Sequence, residues 1–149
     1  MPKLLCDIRG SHGHIEFSRL EMKNSATFKI DALPVSTNKA VGHSRRGGYK
    51  TQEYKDWEQL VMLTQKEKTI KCSEWYGVEM VYHFPIYYKN GNIRRVDGPN
   101  FDKYNIDIVL RRLKDKNGEE IDDCRLIEWS GCKVNSEKEH TEITFYCIE

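Results

Sequence analysis

Residues 94–107 read RRVDGPNFDKYNID and crowd together groups able to do chemistry. Asp97 precedes a Gly-Pro break, and Asn100, Asp102, Lys103 and Asp107 follow it; a second acidic pair, Asp122 and Asp123, stands in IDDCR. Carboxylates converging from a loop before a helix and from the start of a strand can hold one or two Mg²⁺. Such hard cations take oxygen ligands and leave positions for water and phosphate. Taken singly, these residues have plainer readings. Lys103 and Asp107 have the spacing of a surface ion pair, worth a few tenths of a kcal/mol, and Asp122 and Asp123 read as the end of a turn.

Positive charge accompanies the acids. Residues 34–50 carry Asn38, Lys39, Arg45, Arg46 and Lys50 with no acid, and Gly47 and Gly48 allow close backbone approach. That composition suits a grip on a phosphodiester backbone without base reading, the alternative being a flexible solvated loop. Arg94 and Arg95, just ahead of Asp97, would offset a negative metal site where a nucleic acid approaches. Together these features point to phosphodiester hydrolysis.

The elements that must position these groups follow from periodicity. ATFKIDAL alternates like a half-buried strand and stops at Pro34. A long functional loop through residue 50 is expected next. TQEYKDWEQLVMLTQKEK then reads as an amphipathic helix, with Thr51 as N-cap and Tyr54, Trp57, Leu60, Val61 and Thr64 on one face. YGVEMVYHFPIYYK is a strand whose Pro85 hints at an edge or bend. NFDKYNIDIVLRRLK is a second helix, DKNGEE a turn, and CRLIEWSGCKV and HTEITFYCIE are strands. At about 100° per residue, Asn100, Lys103, Asp107 and Arg111 fall within about 80° of one another. This polar stripe is hemmed by Phe101, Tyr104 and Ile108 on one side and by Ile106, Leu110 and Leu113 on the other. The order predicts an α+β fold: a small mixed sheet with two main helices in a single domain.

Composition bounds the rest. The chain has 149 residues, 38% hydrophobic and 32% charged, with a formal net charge of +1, which suits one folded core. No apolar run reaches the roughly 20 residues needed to cross a bilayer, so no membrane association and a cytoplasmic location are expected. The five cysteines are scattered without a Cys-x-x-Cys, and reduced thiols are expected. Residues 1–24 show no clear period and are read as an irregular N-terminal extension, in which Cys6, His12 and His14 are not taken as a metal cluster. Residues 25–149 form the domain.

The spaced elements LPVSTNKA, SRRGGYKTQEY, RRVDGPNFDKYNIDIVL and IDDCRL resemble the RusA family of Holliday junction resolvases, endonucleases typical of phages and prophages. The resemblance runs from about Ala26 across nearly the whole chain. It implies a homodimer that binds four-way or branched DNA in recombination and repair and cuts it with Mg²⁺, or Mn²⁺ in its place. Asp97 and Asp123 would be metal ligands, with Asp122 as a neighbouring or substitute ligand. Lys103 would face the scissile phosphate, and Asn100 would cap the helix and orient the site. The chain departs from the family where the second acid of the first motif falls on Pro99, with Asp102 or Asp107 as replacements. A rival register places the first acid on Asp102 and the asparagine on Asn105. Two alternatives accompany the nuclease: a junction-binding protein with impaired catalysis, and a phage protein acting through protein contacts.

Overall fold

The computed structural model describes residues 24–71 and 74–148. Residues 1–23, nearly all of the expected extension and with it Cys6, His12 and His14, lie outside the described residues, as does Cys72. Strand β1 (Ser25–Ile30) buries Ala26, Phe28 and Ile30 on alternate positions, the period that puts every second side chain on one face. It is followed by a helical turn α1 (Thr37–Ala40), a hairpin of β2 (Val41–Ser44) and β3 (Gly47–Lys50), and helix α2 (Gln52–Thr64). Next come the short β4 (Lys68–Thr69), the long β5 (Trp75–Phe84) and helix α3 (Pro99–Val109). The short β6 (Leu113–Lys114) and the long strands β7 (Leu126–Asn135) and β8 (His140–Ile148) complete the chain.

The main sheet has the order β1-β8-β5-β7. Its β5–β7 pair is parallel and its other pairs antiparallel, so the expected small mixed sheet in an α+β domain is what forms. Phe28, Ile30, Val78, Met80, Tyr82, Phe84, Ile143 and Phe145 are buried, as are Tyr54, Trp57 and Val61 of α2 and Phe101, Ile108 and Val109 of α3. The indole N–H of Trp57 donates to the carbonyl of Tyr104 at 3.1 Å and ties the two helices together.

Five expectations are corrected. Residues 34–50 are not an open loop, because α1 and the β2–β3 hairpin occupy them. Gly47, at φ 112°, closes the turn after Arg45 and Arg46, a backbone region that glycine enters without steric cost. The first helix stops at Thr64, not at residue 68: Gln65 turns extended and its amide donates to the Lys29 carbonyl at 2.8 Å. The second helix ends at Val109 and tightens into a 3₁₀ turn before β6. Pro85 lies just past β5, which has a neighbour on each side and so has no position for a residue lacking an N–H. Among the cysteines, Cys124 is a free, exposed thiol, whereas Cys132 and Cys147 are disulfide-bonded, against the expectation of reduced thiols. Among the described residues no helix is long and apolar enough to cross a membrane.

Thr51 caps α2 as its position implies, accepting from the Tyr54 backbone N–H at 3.3 Å; its hydroxyl donates back to α1 at the carbonyls of Lys39 and Ala40. One side chain thus closes the hairpin base and starts the helix. Thr51→Ala should cost about 1 kcal/mol of stability, the usual value of such a cap, read as a lowered midpoint in urea denaturation with an unchanged slope.

Candidate acidic site on helix α3

Helix α3 begins at Pro99, whose missing N–H costs nothing in the first turn. Asn100 is therefore already inside the helix and does not cap it, which corrects the capping role; its side-chain oxygen instead accepts from the Thr37 hydroxyl at 3.2 Å. That bond joins the start of α3 to α1 and so to the basic hairpin. The turn ahead of the helix is held from the sheet, where the Lys133 ammonium donates to the Val96 carbonyl at 2.5 Å.

The rotation of α3 is set by two polar side chains on its inner side. The Tyr82 hydroxyl, on central strand β5, donates to Asp102 Oδ1 at 2.5 Å and receives the Asn105 amide at 3.3 Å. Asn105 is fully buried. A hydroxyl offers one donor and two acceptor sites, so both contacts can be made at once. Burial raises the Asp102 pKa above its ordinary value; the Tyr82 hydrogen bond opposes the shift and the nearby Asp97 adds to it. Burial, then the Asp102 charge, pushes the Tyr82 phenol upward.

With the inner side so fixed, Lys103, Asp107 and Arg111 lie on the outward side. The chain returns to them through the predicted turn. Asp115 Oδ1 accepts from the backbone N–H groups of Asn117 and Glu119, Gly118 takes φ 79°, and Lys114 bridges to Glu120. Ile121 is buried, and Asp122 caps a 3₁₀ turn by accepting from the Cys124 N–H at 3.0 Å. This contact holds its carboxyl below the ordinary range. Asp123, one residue on, lines the same cavity as Asp107.

Asp107, Arg111, Glu120 and Asp123 line a cavity of about 360 Å³ together with Leu110 and Ile121. Burial pushes the Asp107 carboxyl upward; Lys103 and Arg111 oppose the shift, and Asp123 reinforces it. Arg111 donates to Glu58 at 2.6 Å. A line of contacts runs from this cleft to the hairpin. Lys103 lies 5.6 Å from the Tyr104 ring centroid, Tyr104 packs edge-on against Tyr54 at 5.3 Å, and Lys50 lies 4.8 Å over Tyr54. Asn38, Lys39, Arg45 and Arg46 are exposed on α1 and the hairpin turn.

The five acids singled out in the sequence thus fall into two pairs, Asp97 with Asp102 and Asp107 with Asp123, while Asp122 is engaged with backbone. Among the described residues no three of them have ligand atoms mutually within 4.8 Å. Asp102 and Asp107, five residues apart, stand about 140° apart on the helix and face different neighbours. Arg95 is exposed, but Arg94 is engaged, donating to the Pro85 carbonyl at 3.0 Å with its guanidinium over the Phe84 ring. Sequence reasoning passed over Tyr82 and Glu120, and reached Asn105 only as the asparagine of the rival register. The signal for Asn105 was its i, i+4, i+7 spacing with Phe101 and Ile108, which puts an amide on the apolar face. Comparison with protein-family models and with curated proteins finds no match.

The raised Asp102 pKa gives a signed prediction. A carboxyl whose folded pKa lies above its unfolded value of about 4 loses stability for the fold as pH rises through that range. Asp102→Asn keeps an acceptor for Tyr82 and removes the buried charge beside Asp97. The variant should melt higher than the parent at neutral pH, with the gain vanishing below the ordinary carboxylate range, as read by thermal denaturation across pH.

Proposed function

We propose that the chain is a RusA-like, Mg²⁺-dependent endodeoxyribonuclease that cuts four-way or branched DNA, acting as a homodimer in the cytoplasm of a host cell. The observation that carries this reading is the Asp107–Asp123 pair, set in a cleft with Arg111 and flanked by Lys103, from which contacts run through Tyr104, Tyr54 and Lys50 to the arginine-tipped hairpin. The donor set of the cleft is all oxygen and suits a hard cation. Asp107 and Asp123 would hold Mg²⁺, with Glu120 reaching it through water, and the ion when bound would neutralise phosphate charge and supply an activated water.

The chain's own residues do the rest. Lys103 and Arg111, on the same outward side as Asp107, neutralise the non-bridging phosphate oxygens. The exposed Arg45, Arg46 and Lys50 hold the flanking backbone without reading bases, so recognition follows the shape of the junction. Asp102, bound to Tyr82 on the sheet, acts as a positioning residue for the helix.

The test is cleavage of a synthetic four-way junction with Mg²⁺. Asp123→Asn and Asp107→Asn should each lower the single-turnover rate by about two orders of magnitude or more while junction binding persists. Asp97→Asn should retain most of the activity. Undiminished cleavage by Asp123→Asn would sink the assignment. Lys103→Ala should weaken binding uniformly across sequences and reduce the salt slope by about one.

A second reading, a junction-binding protein with impaired catalysis, is favoured by the pairing of the acids in twos rather than as a set of three. Tight junction binding with no cleavage in Mg²⁺ or Mn²⁺ would decide for it.

A further inference from the structure

The sheet face turned away from the helices carries a second constellation. On β5, Tyr82 and Phe84 point into the core, which sends His83 to the opposite face; on β8, buried Thr141 and Ile143 do the same for His140 and Glu142. The antiparallel register sets His83 directly opposite His140. Their imidazoles stack with centroids 3.9 Å apart and planes 9° from parallel. Glu142 Oε1 lies 2.8 Å from His83 Nε2 and 3.9 Å from His140 Nε2. Among the described residues this is the one group of three or more His, Cys, Asp or Glu side chains whose ligand atoms all lie within 4.8 Å of one another.

Ligands about 2.0–2.1 Å from a tetrahedral ion are about 3.3 Å from each other. The two carboxylate–imidazole separations bracket that value, and binding requires the stacked rings to rotate about their side-chain torsions until both Nε2 lone pairs aim at one centre. Two further features prepare the nitrogens. His140 Nδ1 lies 3.4 Å from the Lys138 carbonyl, the outer contact that orients a ligating imidazole and leaves Nε2 free to bind. His83 Nε2 is buried and faces the Glu142 carboxylate at 2.8 Å.

We propose that His83, His140 and Glu142 form a binding site for a divalent transition-metal cation of the Zn²⁺ class, with water in the remaining position. Two imidazole nitrogens and one carboxylate oxygen suit such an ion and do not suit Mg²⁺, which prefers an all-oxygen octahedron. The site is therefore separate in place and chemistry from the acidic cleft on α3, and it stands whether or not the chain cuts DNA.

The electrostatic setting agrees. Burial, then the neighbouring His140, holds the His83 pKa below its ordinary value against the opposing pull of Glu142. Lys29 on β1, directly across from Glu142, also disfavours the imidazolium and competes with an ion for the carboxylate. Arg94, 3.9 Å from Glu139, is the other charged group where the chain enters β8.

The test is calorimetric titration of the full chain with Zn²⁺ in excess Mg²⁺ at neutral pH, alongside Co²⁺ titration followed by visible absorption. Expected are saturable binding of one ion at micromolar or tighter concentration and a tetrahedral Co²⁺ band. Affinity should fall on acidification, as protons compete with the ion for the imidazole nitrogens. His140→Ala, at a half-exposed position at the start of β8, and Glu142→Gln should each weaken binding about tenfold or more with unchanged circular dichroism. Saturation only at millimolar Zn²⁺ would overturn the site, and so would one-equivalent binding of unchanged affinity in the His83→Ala/His140→Ala double variant.

Discussion

The Tyr82 hydroxyl is the contact on which the candidate site depends. It sits on the central strand β5 and serves two side chains of α3 at once, donating to Asp102 and accepting from Asn105. A hydrogen bond to a charged group contributes about 1.5–3 kcal/mol net, and stranding one of its partners costs about as much or more. The helix therefore has one favoured rotation against the sheet. A rotation by one residue, about 100°, would strand the phenol and turn Phe101 and Ile108 out of the core. Every outward-facing group on the helix inherits its direction from that constraint.

Lys103, Asp107 and Arg111 face outward because Asp102 and Asn105 face inward. Asp123 meets them because the Asp115 turn and buried Ile121 fold the chain back along the end of the helix. The basic hairpin joins the same side through Thr37 and Thr51, whose hydroxyls fasten α1 to α3 and to α2. In the cleft, burial and then the Asp123 charge make the ionised form of Asp107 costlier, and Lys103 and Arg111 oppose the shift. The opposite face of the sheet differs in kind. Its two imidazoles and one carboxylate are aligned by strand register alone.

Much of this was legible in the sequence. The alternation in ATFKIDAL marked the buried face of β1, since a strand places successive side chains on opposite faces, and the aromatic and branched residues of YGVEMVYHF marked β5 as a strand. The cap at Thr51, the glycine turn in DKNGEE and the outward stripe on α3 also follow from local rules, because each depends on neighbours within a few residues. The hairpin in residues 34–50 was not legible. Its strands are short and exposed, so no burial pattern marks them, and only Gly47 signals the turn. The extent of the helices was also overread, as Gln65 and Leu113 are drawn into strand-like conformation by partners far along the chain.

By itself, then, the sequence determined the elements, their inward faces and the chemical types gathered in residues 94–107. Only the tertiary structure decided which acids meet. Helix rotation separates Asp102 from Asp107 by about 140°, and nothing local says which of the two turns toward Asp123. That choice rests on a tyrosine 20 residues before the helix aspartate it binds, and on a turn that returns the chain to the helix. The His83–His140–Glu142 cluster has the same origin, since residues 57 positions apart become neighbours only through the β5–β8 register.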